Sequence, residues 1–294
     1  MMAAARGFAV MARAKFNIRL EVGARRPDGY HAIRSVIADL GLADGLEFSS
    51  ATDFQVDCDD PTIGREDNLA YTAARHLSVD LPAVRVFIEK RIPQQAGLGG
   101  GSADAASILR GIALASAQLG RPIAHEALVA AAIKTGSDVP ACLVPGLKSV
   151  EGRGEIVRRL DIAPPPWGVL LLKPVGGVET KSGYRVLDES RVDPILDPES
   201  SDSIERLTIA LKDHDFAATC ALAHNDFQAP IEAAYPMIAD VRHRLEAAGA
   251  ATTILCGSGS CVAGLFPSVD DAQAAALRLT LSTGEWSCAT GFAS

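Results

Sequence analysis

"IPQQAGLGGGSADAAS", residues 92–107, holds three consecutive glycines between two apolar runs. The run before it, "AVRVFIEK" (83–90), is rich in β-branched and aromatic residues and reads as a strand. The run after it is alanine-rich and reads as a helix from about Ser102 to Leu119. Glycines at the start of a helix let the backbone approach a ligand closely. They also turn unpaired N–H groups toward it, at the positive end of the helix dipole. Phosphate is the usual guest of such a turn. The stretch is not a P-loop, because no lysine follows the glycines, and it is not a dinucleotide fingerprint, because Ser102 stands where the last glycine belongs.

The pattern upstream is strand-like. In "AKFNIRLEV" (14–22), Phe16, Ile18, Leu20 and Val22 alternate with Lys15, Asn17, Arg19 and Glu21, which predicts a strand with one buried face. Pro27-Asp28-Gly29 is a turn signal, and 32–40 and 45–49 read as two further strands. Asp67 or Asn68 caps a predicted helix that runs to about Leu77, and another helix spans 125–134. Residues 147–160 read as a hairpin turning at Gly152-Arg153-Gly154. The three prolines of "DIAPPPWG" (161–168) mark a linker, dividing the chain into domains at 1–162 and 163–294. Downstream, a strand at 168–174 precedes helices near 203–212, 215–223 and 236–248. Next come a strand–glycine turn–strand unit (251–266), a helix (269–281) and a last strand (285–291). This order lacks regular βαβ alternation and points to an α+β chain of two domains.

Composition narrows the function. The chain has 294 residues, 48% hydrophobic, with a net charge of −8, which argues against a nucleic-acid partner. The six cysteines form no C-x-x-C pair and match no zinc spacing. They read as buried thiols of a reduced, cytoplasmic protein, and no metal site is expected from the side chains. No apolar run approaches the length of a membrane span. The first residues, "MMAAARGFAV", are too short an apolar stretch for a secretory core and read as a ragged extension, with Met11 as an alternative start.

Six further motifs give the glycine stretch a context: "AKFN" (14–17), "RPDGYH" (26–31), "EDNL" (66–69), "GSDVP" (136–140), "GRGE" (152–155) and "CGSGSCVAGLF" (256–266). With "PQQAGLGGGSADAA" (93–106) they resemble, in order and spacing, the GHMP kinase superfamily. Within it they resemble the branch of 4-diphosphocytidyl-2-C-methyl-D-erythritol kinases of the non-mevalonate isoprenoid route. The resemblance implies an N-terminal domain like ribosomal protein S5 domain 2, a ferredoxin-like C-terminal domain, and an active site in the cleft between them. It implies ATP and Mg²⁺, with transfer of the γ-phosphoryl to a hydroxyl of a cytidine-diphosphate-linked methylerythritol.

Carried over residue by residue, the resemblance makes Lys15 and Asp138 the catalytic pair. A carboxylate accepts the hydroxyl proton, and an ammonium keeps that carboxylate ionised and offsets charge on the transferring group. Asn17, Tyr30, His31, Thr180 and Tyr184 become substrate contacts, with Tyr30, His31 and Tyr184 around the cytosine. The ATP contacts become Asn68, Lys90, Pro93, Gln94, Gln95, Ala96, Gly97, Leu98, Gly99, Gly100, Gly101, Ser102, Ala103 and Asp104. Gly257, Ser258 and Gly259 form a second glycine loop that closes the site. Four residues depart from the pattern. Gln94 replaces a small or apolar residue, Gln95 a glycine, Ala103 a serine, and Arg13 the proline before Ala14. The departures keep two alternatives open: another GHMP kinase with a different acceptor, and an ATP-binding paralogue with little catalysis.

Overall fold

The computed structural model describes residues 7–191 and 202–293. Packing divides the described residues into two units: 7–14, 42–92 and 99–144 form one, and 15–41, 93–98, 145–191 and 202–293 the other. This partition differs from a single cut after residue 162, because two long strands pass from one unit to the other. The first is β1 (Phe8–Arg25) and the second β2 (His31–Ser50). The strand expected at 14–22 is therefore six residues longer at its start, and the "ragged" residues Phe8 and Val10 pack against the first unit's core. The strands expected at 32–40 and 45–49 are one continuous β2, since neither Gly41 nor Gly45 breaks it.

In the first unit, β2 pairs antiparallel with β4 (Val84–Glu89), and β3 (Gln55–Cys58) lies parallel to β4. Alternation in β4 is complete, with Val84, Val86 and Ile88 buried and the residues between them exposed. Three helices cover this unit: α1 (Leu69–His76), α2 (Gly100–Gln118) and α3 (His125–Thr135). A short α4 (Val139–Leu143), not foreseen from the sequence, follows. Alanines on α1, α2 and α3 bring the helices close to a core of Leu46, Phe48, Val86, Ile108 and Ile112. Gly111 interrupts α2 for a steric reason: a β-carbon there would stand 2.0 Å from Phe48 Cζ. The Phe48 ring lies against the helix and stacks on Phe8 at 4.7 Å.

The second unit continues with a hairpin of β5 (Lys148–Gly152) and β6 (Ile156–Arg159), as expected, and with β7 (Gly168–Lys173). Helices α5 (Thr180–Ser190), α6 (Ser203–Lys212) and α7 (Phe216–Leu222) follow. Then come the two-residue β8 (His224–Asn225), α8 (Gln228–Ala234) and α9 (Pro236–Ala247). The chain closes with β9 (Thr252–Leu255), β10 (Val262–Phe266), α10 (Val269–Ala276) and β11 (Trp286–Ala293). The helix expected over 269–281 thus ends five residues early. Helices α5 and α8 were not foreseen, because polar and small residues fill their exposed faces.

Antiparallel pairing joins β9 to β10, β10 to β7 and β7 to β11, and the four residues Val169–Leu172 of β7 are fully buried. Burial on both faces also explains the main departure in β1. Lys15, Asn17 and Glu21 are buried along with Phe16, Ile18 and Val22, so the face read as solvated is interior. Interior polar groups need partners, and those partners define the site below. The architecture is α+β.

Candidate active site

The glycine loop is held by its own carbonyls. Leu98 O accepts from Lys15 N at 2.9 Å, Ala96 O from Cys261 N at 3.2 Å, and Gln95 O from Ser260 N at 3.2 Å and Ser260 Oγ at 3.3 Å. The 95–98 segment therefore runs between the start of β1's second half and the second glycine turn. Gly97 has φ +75°, and a β-carbon on it would stand 1.7 Å from Cys256 O. Across the same contact, a β-carbon on Gly257 would meet Gly97 O at 3.0 Å and Lys15 Nζ at 3.1 Å. Both glycine motifs exist because two backbones touch here, with the Lys15 ammonium beside them. Asn225 braces the second turn, its amide donating to Leu255 O at 2.6 Å and Gly257 O at 2.7 Å. No motif in the sequence marks Asn225.

Lys15 Nζ donates to Asn17 Oδ1 at 2.8 Å, Asn17 Nδ2 donates to Ser35 Oγ at 2.9 Å, and Ser35 Oγ donates to Arg19 O at 2.6 Å. Lys15 and Asn17, two apart on a strand, share a face as expected, and Ser35 from β2 completes the relay. Ser35 gave no signal in the sequence.

In the first unit, Gly99 takes the left-handed conformation (φ 68°) as the residue before α2. The first helical bond runs from Ala103 N to Gly99 O at 2.8 Å, which leaves the amides of Gly100, Gly101 and Ser102 outside the ladder. Those amides and the half-buried Ser102 fit an anion. Ala103 is buried among core residues, so the serine absent there would have lain in an apolar setting.

Lys90 and Asp104, both expected at ATP, are engaged with each other, and Lys90 also with Asp44. Lys90 Nζ lies 2.5 Å from Asp44 Oδ2 and 2.6 Å from Asp104 Oδ2. Asp44 Oδ1 also accepts from Arg91 N at 2.5 Å and Ile92 N at 2.8 Å, anchoring the entry to the glycine loop. Burial, opposed by Lys90 and aided by Asp44, pushes the Asp104 carboxyl up to about 7, and its Oδ1 has no hydrogen-bond partner. Asn68 caps α1, accepting from Ala70 N at 2.9 Å. Asp138 is half-buried at the start of α4, and its carboxylate does not bond that helix's amides.

The residues expected around the cytosine differ in exposure. Tyr30 is 50% exposed, with the Arg153 guanidinium 4.8 Å over its ring. His31 is buried, stacks on Tyr184 at 4.9 Å, and places Nε2 2.9 Å from Asp188 Oδ1. Phe227 meets Tyr184 edge-on at 4.9 Å. Thr180 is exposed at the first residue of α5. The same helix touches the second glycine turn, since a β-carbon on Gly183 would stand 2.9 Å from Ser258 Cβ. Gln94 is exposed. Gln95 adopts φ +51°, a glycine-like conformation, and its side chain lies over Gly177, where a β-carbon would stand 2.4 Å from Gln95 Oε1.

Residues 68–146 match the GHMP kinases N terminal domain, and residues 207–283 match the GHMP kinases C terminal domain. The chain belongs to the GHMP kinase family. Its place in the family is the 4-diphosphocytidyl-2-C-methyl-D-erythritol kinase branch. A kinase of that name from Moorella thermoacetica is 37% identical over 90% of this chain and 92% of its own. One from Geobacter metallireducens is 35% identical over 94% of each. A solved 4-(cytidine 5'-diphospho)-2C-methyl-D-erythritol kinase superposes with a TM-score of 0.78 at 31% identity, covering 97% of this chain and 99% of that one. Homoserine kinase from Cytophaga hutchinsonii shares the fold alone, with a TM-score of 0.71 at 17% identity over 97% and 95% of the two chains.

Proposed function

We propose that the chain transfers the γ-phosphoryl group of ATP to a hydroxyl of 4-diphosphocytidyl-2-C-methyl-D-erythritol, in the cytoplasm, as a step toward isoprenoid precursors. The observation that carries the reading is the contact of the two glycine turns beside the buried Lys15 ammonium. It is supported by the 37% identity to a kinase of that name.

Phosphoryl transfer asks a protein chiefly for position and charge. The open amides of Gly100, Gly101 and Ser102 cradle phosphate oxygens, and the dipole of α2 favours their charge. Asp138 accepts the hydroxyl proton as the oxygen attacks phosphorus and the bond to the leaving ADP oxygen breaks. Lys15, oriented by Asn17, offsets the charge that develops. His31 and Tyr184 receive the cytosine, with Tyr30 at the rim.

Mg²⁺ would fit this donor set: phosphate oxygens would hold it, and the Ser102 hydroxyl would be its protein ligand, because the Asp104 carboxyl is engaged with Lys90. The chemistry it would supply there is neutralisation of phosphate charge.

The test is ADP release, coupled to an optical readout, with ATP and the cytidine-linked acceptor. Turnover that falls by about 10²- to 10⁴-fold in Asp138→Ala, with ATP affinity retained, is the expected result. Folded wild-type protein that turns over mevalonate or homoserine, but not this acceptor, would reassign the substrate. Tight ATP binding with no transfer to any acceptor would make it a non-catalytic paralogue.

A further inference from the structure

We infer that Asp188 sets the hydrogen-bonding pattern of His31, and that the base site thereby accepts an amino group and refuses an oxo group in the same place. The inference rests on the cytidine reading above and names a residue that determines its specificity.

His31 opens β2 and is buried, with 5% of its side chain exposed. Its Nε2 faces Asp188 Oδ1 at 2.9 Å. An ionised carboxylate only accepts hydrogen bonds, so Nε2 carries the hydrogen. In a neutral imidazole the other nitrogen, Nδ1, is then a bare acceptor. Among the described residues Nδ1 has no hydrogen-bond partner.

The ring cannot turn to exchange these roles without losing the Asp188 bond. Tyr184 lies flat against it, 4.9 Å away and 16° from parallel, and Phe227 holds Tyr184 edge-on at 89°. Tyr184 and Asp188 are four residues apart on α5, so they project from one face of the helix. A single helix supplies both the ring that fixes the imidazole plane and the carboxylate that fixes its tautomer. A bare Nδ1 gains from an exocyclic amine, which donates. Facing a carbonyl oxygen, it sets two lone pairs against each other. Cytosine presents the amine at its 4-position and uracil the carbonyl. Asp188 touches neither base in this scheme, so it is a positioning residue that acts through His31.

The test uses the full-length protein and two measurements. Titration calorimetry compares cytidine diphosphate with uridine diphosphate, for wild type and Asp188→Ala. Nitrogen-15 spectra at about pH 8 report the His31 tautomer, with its signals assigned by their loss in His31→Gln. Wild type is expected to prefer cytidine diphosphate by about 10- to 100-fold, from one hydrogen bond gained against one acceptor left facing another. Its His31 shows a protonated Nε2 and a bare Nδ1. In Asp188→Ala the preference narrows to about 3-fold or less, as loss of a single hydrogen bond allows. The His31 signals become a mixture, while the thermal unfolding midpoint confirms that the variant is folded. An imidazolium or an Nδ1–H tautomer in wild type overturns the inference, and so does an unchanged nucleotide preference in Asp188→Ala. Binding of neither nucleotide by wild type overturns the cytidine reading and the discrimination with it. The spectra would then report separately whether Asp188 governs His31.

Discussion

A β-carbon on Gly97 would stand 1.7 Å from the carbonyl oxygen of Cys256. Backbone meets backbone at this point, so no side-chain rotation relieves the overlap. With φ at +75°, the position is also left-handed. Gly97→Ala is expected to cost about 3 kcal/mol, as strain at a special backbone conformation does. Urea unfolding at matched m-value measures it, and a loss below about 1 kcal/mol contradicts the contact.

Gln95 holds a left-handed conformation without being glycine. A non-glycine residue there carries roughly 1–2 kcal/mol of strain, and glycine returns part of this as chain entropy. Gln95→Gly should therefore stabilise the fold by about 0.5–1 kcal/mol, whereas the β-branched Gln95→Val should destabilise it by more than about 1 kcal/mol. Thermal midpoints of the two variants should move in opposite directions.

Asp104 has its carboxyl pushed up to about 7 by burial and by Asp44, against Lys90. The folded state thus holds a proton that the unfolded state, with an ordinary carboxylate, releases near pH 4. Stability contributed by this group is present at low pH and is lost as pH rises from about 4 to about 7. Asp104→Asn keeps an acceptor for Lys90 and removes the buried charge. The variant should lose that part of the pH dependence and match or exceed wild type at about pH 8, by about 1 kcal/mol. Unfolding midpoints across pH decide it, and an unchanged slope between pH 4 and 7 excludes Asp104 as the source.

Lys148 is fully buried, with Asp39 Oδ1 2.6 Å from its ammonium. Asp39 also takes Gly146 N at 2.9 Å. Breaking such a pair from one side leaves a charge in the interior, so Asp39→Ala should cost about 3–5 kcal/mol. Lys148→Met fills the same space without charge, and the double variant should recover more than half of that loss in equilibrium unfolding. Additive losses would show that the ion pair is not the origin.

Ser35 carries the chain of bonds that fixes Asn17 and, through it, Lys15. Ser35→Ala removes two bonds, each of about 1 kcal/mol, and loosens the ammonium. A drop in kcat of about 10-fold with the KM for ATP unchanged is the expected signature of lost transition-state positioning. Steady-state kinetics that show only a raised KM would place Ser35 in binding instead.

Much of the local structure was legible in the chain, and the reasons can be named. Val84, Val86 and Ile88 alternate because β4 has one dry face, and alternation is visible without any partner strand. Asn68 precedes an alanine-rich run, and its side chain caps α1 as that order implies. The glycine turns were visible because only glycine tolerates their contacts. Local patterning failed where burial came from distant segments. Lys15, Asn17 and Glu21 look like a solvated face and are interior, since both sides of β1 are covered. Asp44, Asp188, Ser35 and Asn225 are ordinary polar residues in the chain and acquire roles only through partners far away in sequence.

By itself, then, the order of residues settles the α+β class, the two glycine turns and the family. The class and the turns rest on short-range constraints: period, capping, and positions that exclude a β-carbon; the family rests on the resemblance of motifs in their order and spacing along the chain. Which charges meet is a different matter. Lys90 lies beside Asp44 and Asp104, and His31 beside Asp188, because strands and helices from separate parts of the chain converge there. A buried charge is tolerable only where such convergence supplies its counterpart. Tertiary packing alone therefore decided that Lys90 is held by two aspartates and that the His31 imidazole meets the Asp188 carboxylate.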